Sequence, residues 1–180
     1  MAPRHGTATI QGMTSIDPAL TIPDMEGIHP AVRVGHVHLR VADLDRSLAF
    51  YRDALGFGVV ADGRPVGLDA AFLAAGDYHH HIGLNTWESQ GAEPPPPHTG
   101  LYHVAFVYPD RAELVRAVER LNQHGYPIDH ASDHGATVSV YLEDPDGNGV
   151  ELYYDRPRAD WFDAGGLPIL KADRIAIEDL

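Results

Sequence analysis

Over residues 137–143 small or polar side chains (Thr137, Ser139, Tyr141) alternate with apolar ones (Val138, Val140, Leu142), and this period of two predicts a half-buried strand. Asp144-Pro145-Asp146-Gly147-Asn148-Gly149 follows, a run of residues suited to tight turns. Val150 to Tyr154 then resumes strand composition, with Val150, Leu152 and Tyr154 on one face and Glu151 and Tyr153 on the other. A carboxylate between Val and Leu in such a strand is costly unless it is paired or ligates a cation. Upstream, Val34 to Val41 reads as a first strand: Val37, Leu39 and Val41 form its apolar face, His36, His38 and Arg40 its polar one. Asp43 is placed to cap a helix whose apolar positions Leu44, Leu48, Tyr51 and Leu55 keep helical spacing up to Gly56. Phe57 to Ala61 predicts a second strand, and Leu68 to Ala75 with Tyr78 to Asn85 a hairpin around Gly76-Asp77.

After a stiff connector at Pro94 to Pro97 the pattern starts again. Leu101 to Tyr108 is a strand, Asp110 a cap with Glu113 three residues on, and Leu114, Val118 and Leu121 the buried stripe of a helix ended by Gly125. A strand near Tyr126 to Asp129 precedes the two described first. Each half therefore reads β-α-β-β-β. His36-Val37-x-Leu39 with Asp43 matches His103-Val104-x-Phe106 with Asp110 at a constant offset of 67 residues, which marks an internal duplication. The predicted fold is α+β, two βαβββ modules forming one curved sheet, a cup around a metal site. The chain divides into an irregular arm over 1–30, one domain over 31–160 (modules 34–90 and 101–155) and a tail over 161–180.

Composition narrows the function. A net charge of −13 argues against nucleic acid or an anionic membrane as partner. No apolar run approaches a membrane span and the first thirty residues lack a signal-peptide pattern, so a cytoplasmic setting is expected. With no cysteine, a metal would be held by nitrogen and oxygen donors alone. The twelve histidines are unevenly spread. His36 and His103 fall at equivalent strand positions, and a cup closed by the two halves would bring them to Glu151. Two imidazoles and a carboxylate are the donor set of non-haem Fe(II) sites with open coordination positions; Mn(II) accepts it as well. His5, His29, His98 and His124 read as solvated surface residues.

The motifs LAFYRDALGF, HHHIGLNTW, LYHVAF, SDHG and DPDGNGVELYYDRPRADW, together with the paired βαβββ halves, resemble the vicinal oxygen chelate superfamily of glyoxalases, bleomycin resistance proteins and extradiol dioxygenases. They are most similar to its catechol 2,3-dioxygenase-like branch, from about Val34 to Trp161. The resemblance implies a single-module enzyme of aromatic catabolism. It would cleave the ring of a small aromatic diol with incorporation of both atoms of O2 at an Fe(II) held by His36, His103 and Glu151. By position, Tyr141 matches a family tyrosine ten residues before the ligand Glu that contacts substrate or oxygen. His80 matches the acid/base histidine, with His81 the alternative if the register slips by one. His130 or His134 matches a histidine that hydrogen-bonds substrate. Two rivals share the superfamily: a non-redox metalloenzyme (a glyoxalase-like isomerase or an antibiotic-modifying thiol transferase) and a metal-free drug-binding protein. Glyoxalases use a further Glu on the last strand of the first half, and His79 to Asn85 contains no carboxylate. A homodimer is the expected assembly. Ile169 to Leu180 is left between a terminal helix and a terminal strand.

Overall fold

The computed structural model describes residues 28–180 except Pro30, Pro95, Pro97 and His98. The arm over 1–30, two of the four residues of the Pro94–Pro97 connector and the surface assignments of His5 and His98 thus fall wholly or partly outside the described residues.

Two modules of identical topology are present. The first runs β1 (Val37–Arg40), α1 (Leu44–Leu48), β2 (Gly58–Asp62), β3 (Ala70–Ala74) and β4 (Ile82–Asn85), in sheet order β1-β4-β3-β2. The second runs β5 (His103–Tyr108), α2 (Arg111–Gln123), β6 (His130–Asp133), β7 (Thr137–Glu143) and β8 (Gly149–Asp155), in the order β5-β8-β7-β6. A short β9 (Asp173–Ile175) extends that sheet along β6. In each module the first strand pairs in parallel with the last, and strand pairing stays within the module, giving a four-stranded and a five-stranded sheet.

The local signals act as the periodicity suggests. The Asp43 and Asp110 carboxylates accept the third main-chain N–H beyond them, from Arg46 and Glu113, which satisfies donors that a helix start leaves open. Leu44, Leu48, Tyr51 and Leu55 are all buried, but the helix widens after Leu48 into a π-turn over Ala49–Ala54, closed by the Leu55 N–H on the Phe50 carbonyl. Leu114, Val118 and Leu121 form the buried stripe of α2, joined by Ala117.

Three boundaries shift. β1 begins at Val37, later than expected. The strand expected at Tyr126 to Asp129 lies instead at His130–Asp133, because Pro127 has no N–H to give to a ladder and β6 is held from both sides by β7 and β9. β4 begins at Ile82, so His79 and His80 precede the strand and simple alternation does not set their directions.

One apolar core joins the modules. Leu39, Val41 and Ile82 of the first sheet and Val140, Val150 and Leu152 of the second pack on α1, its π-turn and α2. Phe57 meets Phe106 at 5.0 Å and Phe50 meets Tyr126 at 4.8 Å between ring centres. The Arg120 guanidinium donates to the carbonyls of Ala54 and Leu55. The β7–β8 turn is a second seam. Buried Asp144 accepts the Tyr51 hydroxyl at 2.9 Å, the Asn148 side-chain amide and two main-chain N–H groups, while Asp146 pairs with Arg46. Gly147 turns with φ of 78°. Gly149 is required for a different reason: a Cβ there would lie 2.3 Å from the Tyr102 carbonyl oxygen. With the helices between the sheets, the polar faces that carry His36 and His103 lie on the far side of each sheet from the core. Among the described residues, no helix is long and apolar enough to cross a membrane.

Candidate metal centre

β5 and β8 bring His103 and Glu151 together. Their register is offset by two residues along the strands, Ala105 standing opposite Glu151 and His103 opposite Gly149. His103 Nε2 lies 2.9 Å from Glu151 Oε2, with side-chain exposures of 30% and 12%. At 2.9 Å the two form an N–H···O contact, and two donors bonded at about 2.1 Å to one ion at right angles would stand about 3 Å apart, so the same spacing also suits two adjacent ligands. The His103 Nδ1 is buried and has no hydrogen-bond partner. A ligating imidazole ordinarily gives that second nitrogen to an outer acceptor.

Tyr141 extends the pair. Its hydroxyl donates to Glu151 Oε1 at 2.8 Å, and burial, followed by the Glu151 carboxylate, raises its pKa well above that of a free tyrosine. The two histidines left open as partners take different places. His134 Nε2 lies 2.8 Å from the Tyr141 hydroxyl, whereas His130 stacks on the Tyr141 ring with centroids 4.6 Å apart and planes 16° apart. Burial, and next the Arg174 charge, lowers the His130 pKa.

The first module gathers a separate cluster. His36 and His80 rings lie 4.5 Å apart, and His79 Nδ1 is 2.9 Å from His80 Nδ1. Burial, with His36 next, lowers the His80 pKa and favours a neutral ring near pH 7. His81 turns elsewhere: its Nδ1 accepts the Ala75 N–H at 3.3 Å and its ring packs on Tyr78. Of the two candidates, His80 is the one beside His36.

The constellation is thus divided. Among the described residues, no three His, Asp or Glu side chains of one chain converge closely enough to hold a metal, so His36 does not join His103 and Glu151 within the chain. The reason lies in the packing, since the modules associate through their helices and leave both histidine faces outward. Two surface clefts of about 440 and 520 Å³ lie elsewhere, one beside Asp43 and Arg64, the other between the modules at Leu55, Phe57 and Ala105, and neither includes His36, His103 or Glu151.

The duplication also shows what the first module lacks. His38 stands opposite Gly83 just as Ala105 stands opposite Glu151, so Gly83 holds the place of the carboxylate. The His38 ring fills that space; a Cβ on Gly83 would lie 2.9 Å from its Cγ. His38 Nε2 is 3.0 Å from the Asn85 side-chain amide, and the ring meets Phe72 edge-on at 5.9 Å. Sequence reading did not single out Asn85 or Phe72. Strand alternation, which already places His38 beside His36, was the available signal for His38. The Lys171 carbonyl, 2.8 Å from His134 Nδ1, had none.

Two duplicated βαβββ modules, each with its first strand parallel to its last, define the glyoxalase/dioxygenase fold class. Residues 33–152 match the family model of the Glyoxalase/Bleomycin resistance protein/Dioxygenase superfamily, and the chain belongs to that superfamily. Among its curated relatives, a catechol-2,3-dioxygenase of Bacillus subtilis is 38% identical over 159 residues, 87% of this chain and 53% of that protein. A biphenyl-2,3-diol 1,2-dioxygenase of Rhodococcus globerulus is 33% identical over 68% of this chain and 63% of its own length. The chain therefore spans between half and two thirds of the length of these relatives. Among solved structures, a lactoylglutathione lyase from Agrobacterium tumefaciens aligns with a TM-score of 0.53 and 27% identity, over 70% of this chain and 96% of that one.

Proposed function

We propose that this protein is an extradiol dioxygenase. In this reading it inserts both atoms of O2 into a catechol-type substrate at an Fe(II) held by His103 and Glu151 of one chain and His36 of a second copy. The observation that carries the proposal is the 2.9 Å approach of His103 Nε2 to Glu151 Oε2, hydrogen-bonded to Tyr141, in a chain whose dioxygenase relatives reach 38% identity.

The donor set fits iron. All three groups are nitrogen or oxygen donors suited to Fe(II), with Mn(II) accepted as well, and three protein ligands leave positions for other groups. When bound, the ion would supply Lewis-acid and template chemistry for the catechol oxygens and O2. The chain's own groups do the rest. Neutral His80, beside His36, accepts a proton from a catechol hydroxyl and returns it to the product side. The Tyr141 hydroxyl, kept protonated by its raised pKa, offers a donor or acceptor to substrate oxygen as charge develops. His130 supports the Tyr141 ring from one face and His134 its hydroxyl.

A second copy supplies what one chain lacks. Each copy carries a His103–Glu151 half on the outer face of the second sheet and a His36–His80 half at the edge of the first, and a two-fold dimer pairs unlike halves twice. Exposed Leu101 and Tyr102 just before His103, and Trp87 against His38, give these faces apolar surface to bury. The glyoxalase-like alternative is disfavoured because Gly83 stands where a fourth ligand carboxylate would come from.

The test is oxygen uptake by anaerobically purified, Fe(II)-loaded protein on a panel of catechols. The expected result is uptake with a coloured ring-opened product, abolished by chelation. Tight metal binding with no oxygen consumed on any catechol would move the protein to a non-redox enzyme of the same fold. No metal binding would leave a drug-binding module.

A further inference from the structure

We infer that the C-terminal segment is a positioning element of the site: the Lys171 main-chain carbonyl fixes the tautomer of His134 and presents its Nε2 to Tyr141 as a proton acceptor. The segment is seated firmly against the corner that follows β6. β9 pairs antiparallel with β6, Ala131 opposite Ile175 and Asp133 opposite Asp173. The Lys171 ammonium bridges Asp133 at 3.2 Å and Asp173 at 3.1 Å, and Arg156 reaches the same Asp133 at 2.9 Å. Gly135 leaves room for Ile169; a Cβ there would lie 2.4 Å from Ile169 Cγ2. These contacts deliver the Lys171 carbonyl to 2.8 Å from His134 Nδ1.

A carbonyl oxygen only accepts, so Nδ1 must carry a proton. The other side of the ring faces a chain of two contacts, His134 Nε2 to the Tyr141 hydroxyl and that hydroxyl to Glu151 Oε1, each 2.8 Å. Without the carbonyl, the simplest arrangement has Nε2–H donating to the Tyr141 oxygen and Tyr141 donating to the carboxylate, which satisfies every group with a neutral ring. For a neutral ring the carbonyl removes that arrangement. A neutral His134 now offers a lone pair at Nε2, and the single Tyr141 proton has two acceptors. The phenol oxygen is then not occupied by an N–H from His134 and is open to accept from a substrate hydroxyl. That last consequence rests on the dioxygenase reading, while the tautomer does not.

The test is a long-range proton–nitrogen NMR correlation on the full-length, metal-free protein labelled with 15N-histidine, with His134 assigned by the His134→Gln variant. The expected spectrum shows a protonated Nδ1 and, in the neutral ring, a pyridine-like Nε2. In a chain stopped after Pro168, checked for fold by far-UV circular dichroism, the pattern is expected to invert to Nε2–H. Lys171→Ala, which keeps the carbonyl, should leave the tautomer unchanged. A His134 carrying Nε2–H in the full-length protein, as the neutral Nε2–H tautomer or as a doubly protonated ring, would overturn the inference, as would Nδ1–H persisting in the folded shortened chain. Should the shortened chain not fold, the full-length spectrum still decides. Absence of oxygenase activity would leave this spectrum untouched, so the two readings fail separately.

Discussion

If His36 of one copy completes the His103–Glu151 pair of another, two inactive variants must rescue each other. His36→Ala removes the ligand from the first module and His103→Ala from the second; each alone destroys both sites of its homodimer. In an equal mixture that re-pairs at random, half of the dimers carry one copy of each variant. In such a dimer one site combines both lesions, while the other combines an intact His36 with an intact His103 and Glu151. One functional site in two, in half of the dimers, restores about a quarter of the wild-type sites. Each variant alone should lose more than about a hundredfold in metal affinity, since losing an outer-shell partner of a ligand already costs 10–100-fold. The assay is Fe(II) content after desalting, and oxygen uptake on catechol, of the two variants co-expressed with different tags and purified through both. Tandem purification selects the mixed dimer, in which half of the sites should be filled. The reasoning is refuted if the mixed dimer forms and stays empty, or if His36→Ala alone keeps full metal occupancy.

Other consequences follow from the seam between the modules and from the site. Tyr51→Phe leaves buried Asp144 with three of its four donors. Loss of a hydrogen bond to a charged group costs about 1.5–3 kcal/mol, so the melting temperature should fall by roughly 3–12 °C, read by calorimetry. Burial, then the Asp144 charge, raises the Tyr51 pKa well above 10. The neutral phenol therefore stabilises the fold below the unfolded value near 10, and that stability is lost as pH rises toward the folded value. Stability between about pH 10 and 11.5 should drop more steeply in the wild type than in Tyr51→Phe, measured by urea titration. Gly149→Ala drives a Cβ into the Tyr102 carbonyl at the start of β5. An overpacking cost of roughly 1–3 kcal/mol should appear with weaker metal binding, because His103 is the next residue. Glu151→Gln, nearly isosteric, should keep the fold and lose the metal; full occupancy in that variant would remove Glu151 from the ligand set.

The chain's sequence determined most of its local structure. Period-two alternation set β7 and β8 and put Glu151 on the open face, Asp43 and Asp110 capped the helices where they stood, and the 67-residue repeat placed His36 and His103 at matched strand positions. These signals are legible because each depends on neighbours a few residues apart. The pairing of His134 rather than His130 with the Tyr141 hydroxyl, the approach of His80 to His36, and the Lys171 carbonyl behind His134 were not legible. Each depends on a rotamer or on an edge strand docking from 37 or more residues away. The relation between the modules was decided last and only in three dimensions. Both sheets carry an apolar and a polar face, and pattern alone allows the polar faces to close on each other within one chain. Burying Leu44, Leu48, Phe50 and Tyr51 against Leu114, Val118 and Leu121 puts the helices between the sheets instead. That apolar burial turns both histidine faces outward and separates the two histidines that the repeat had matched.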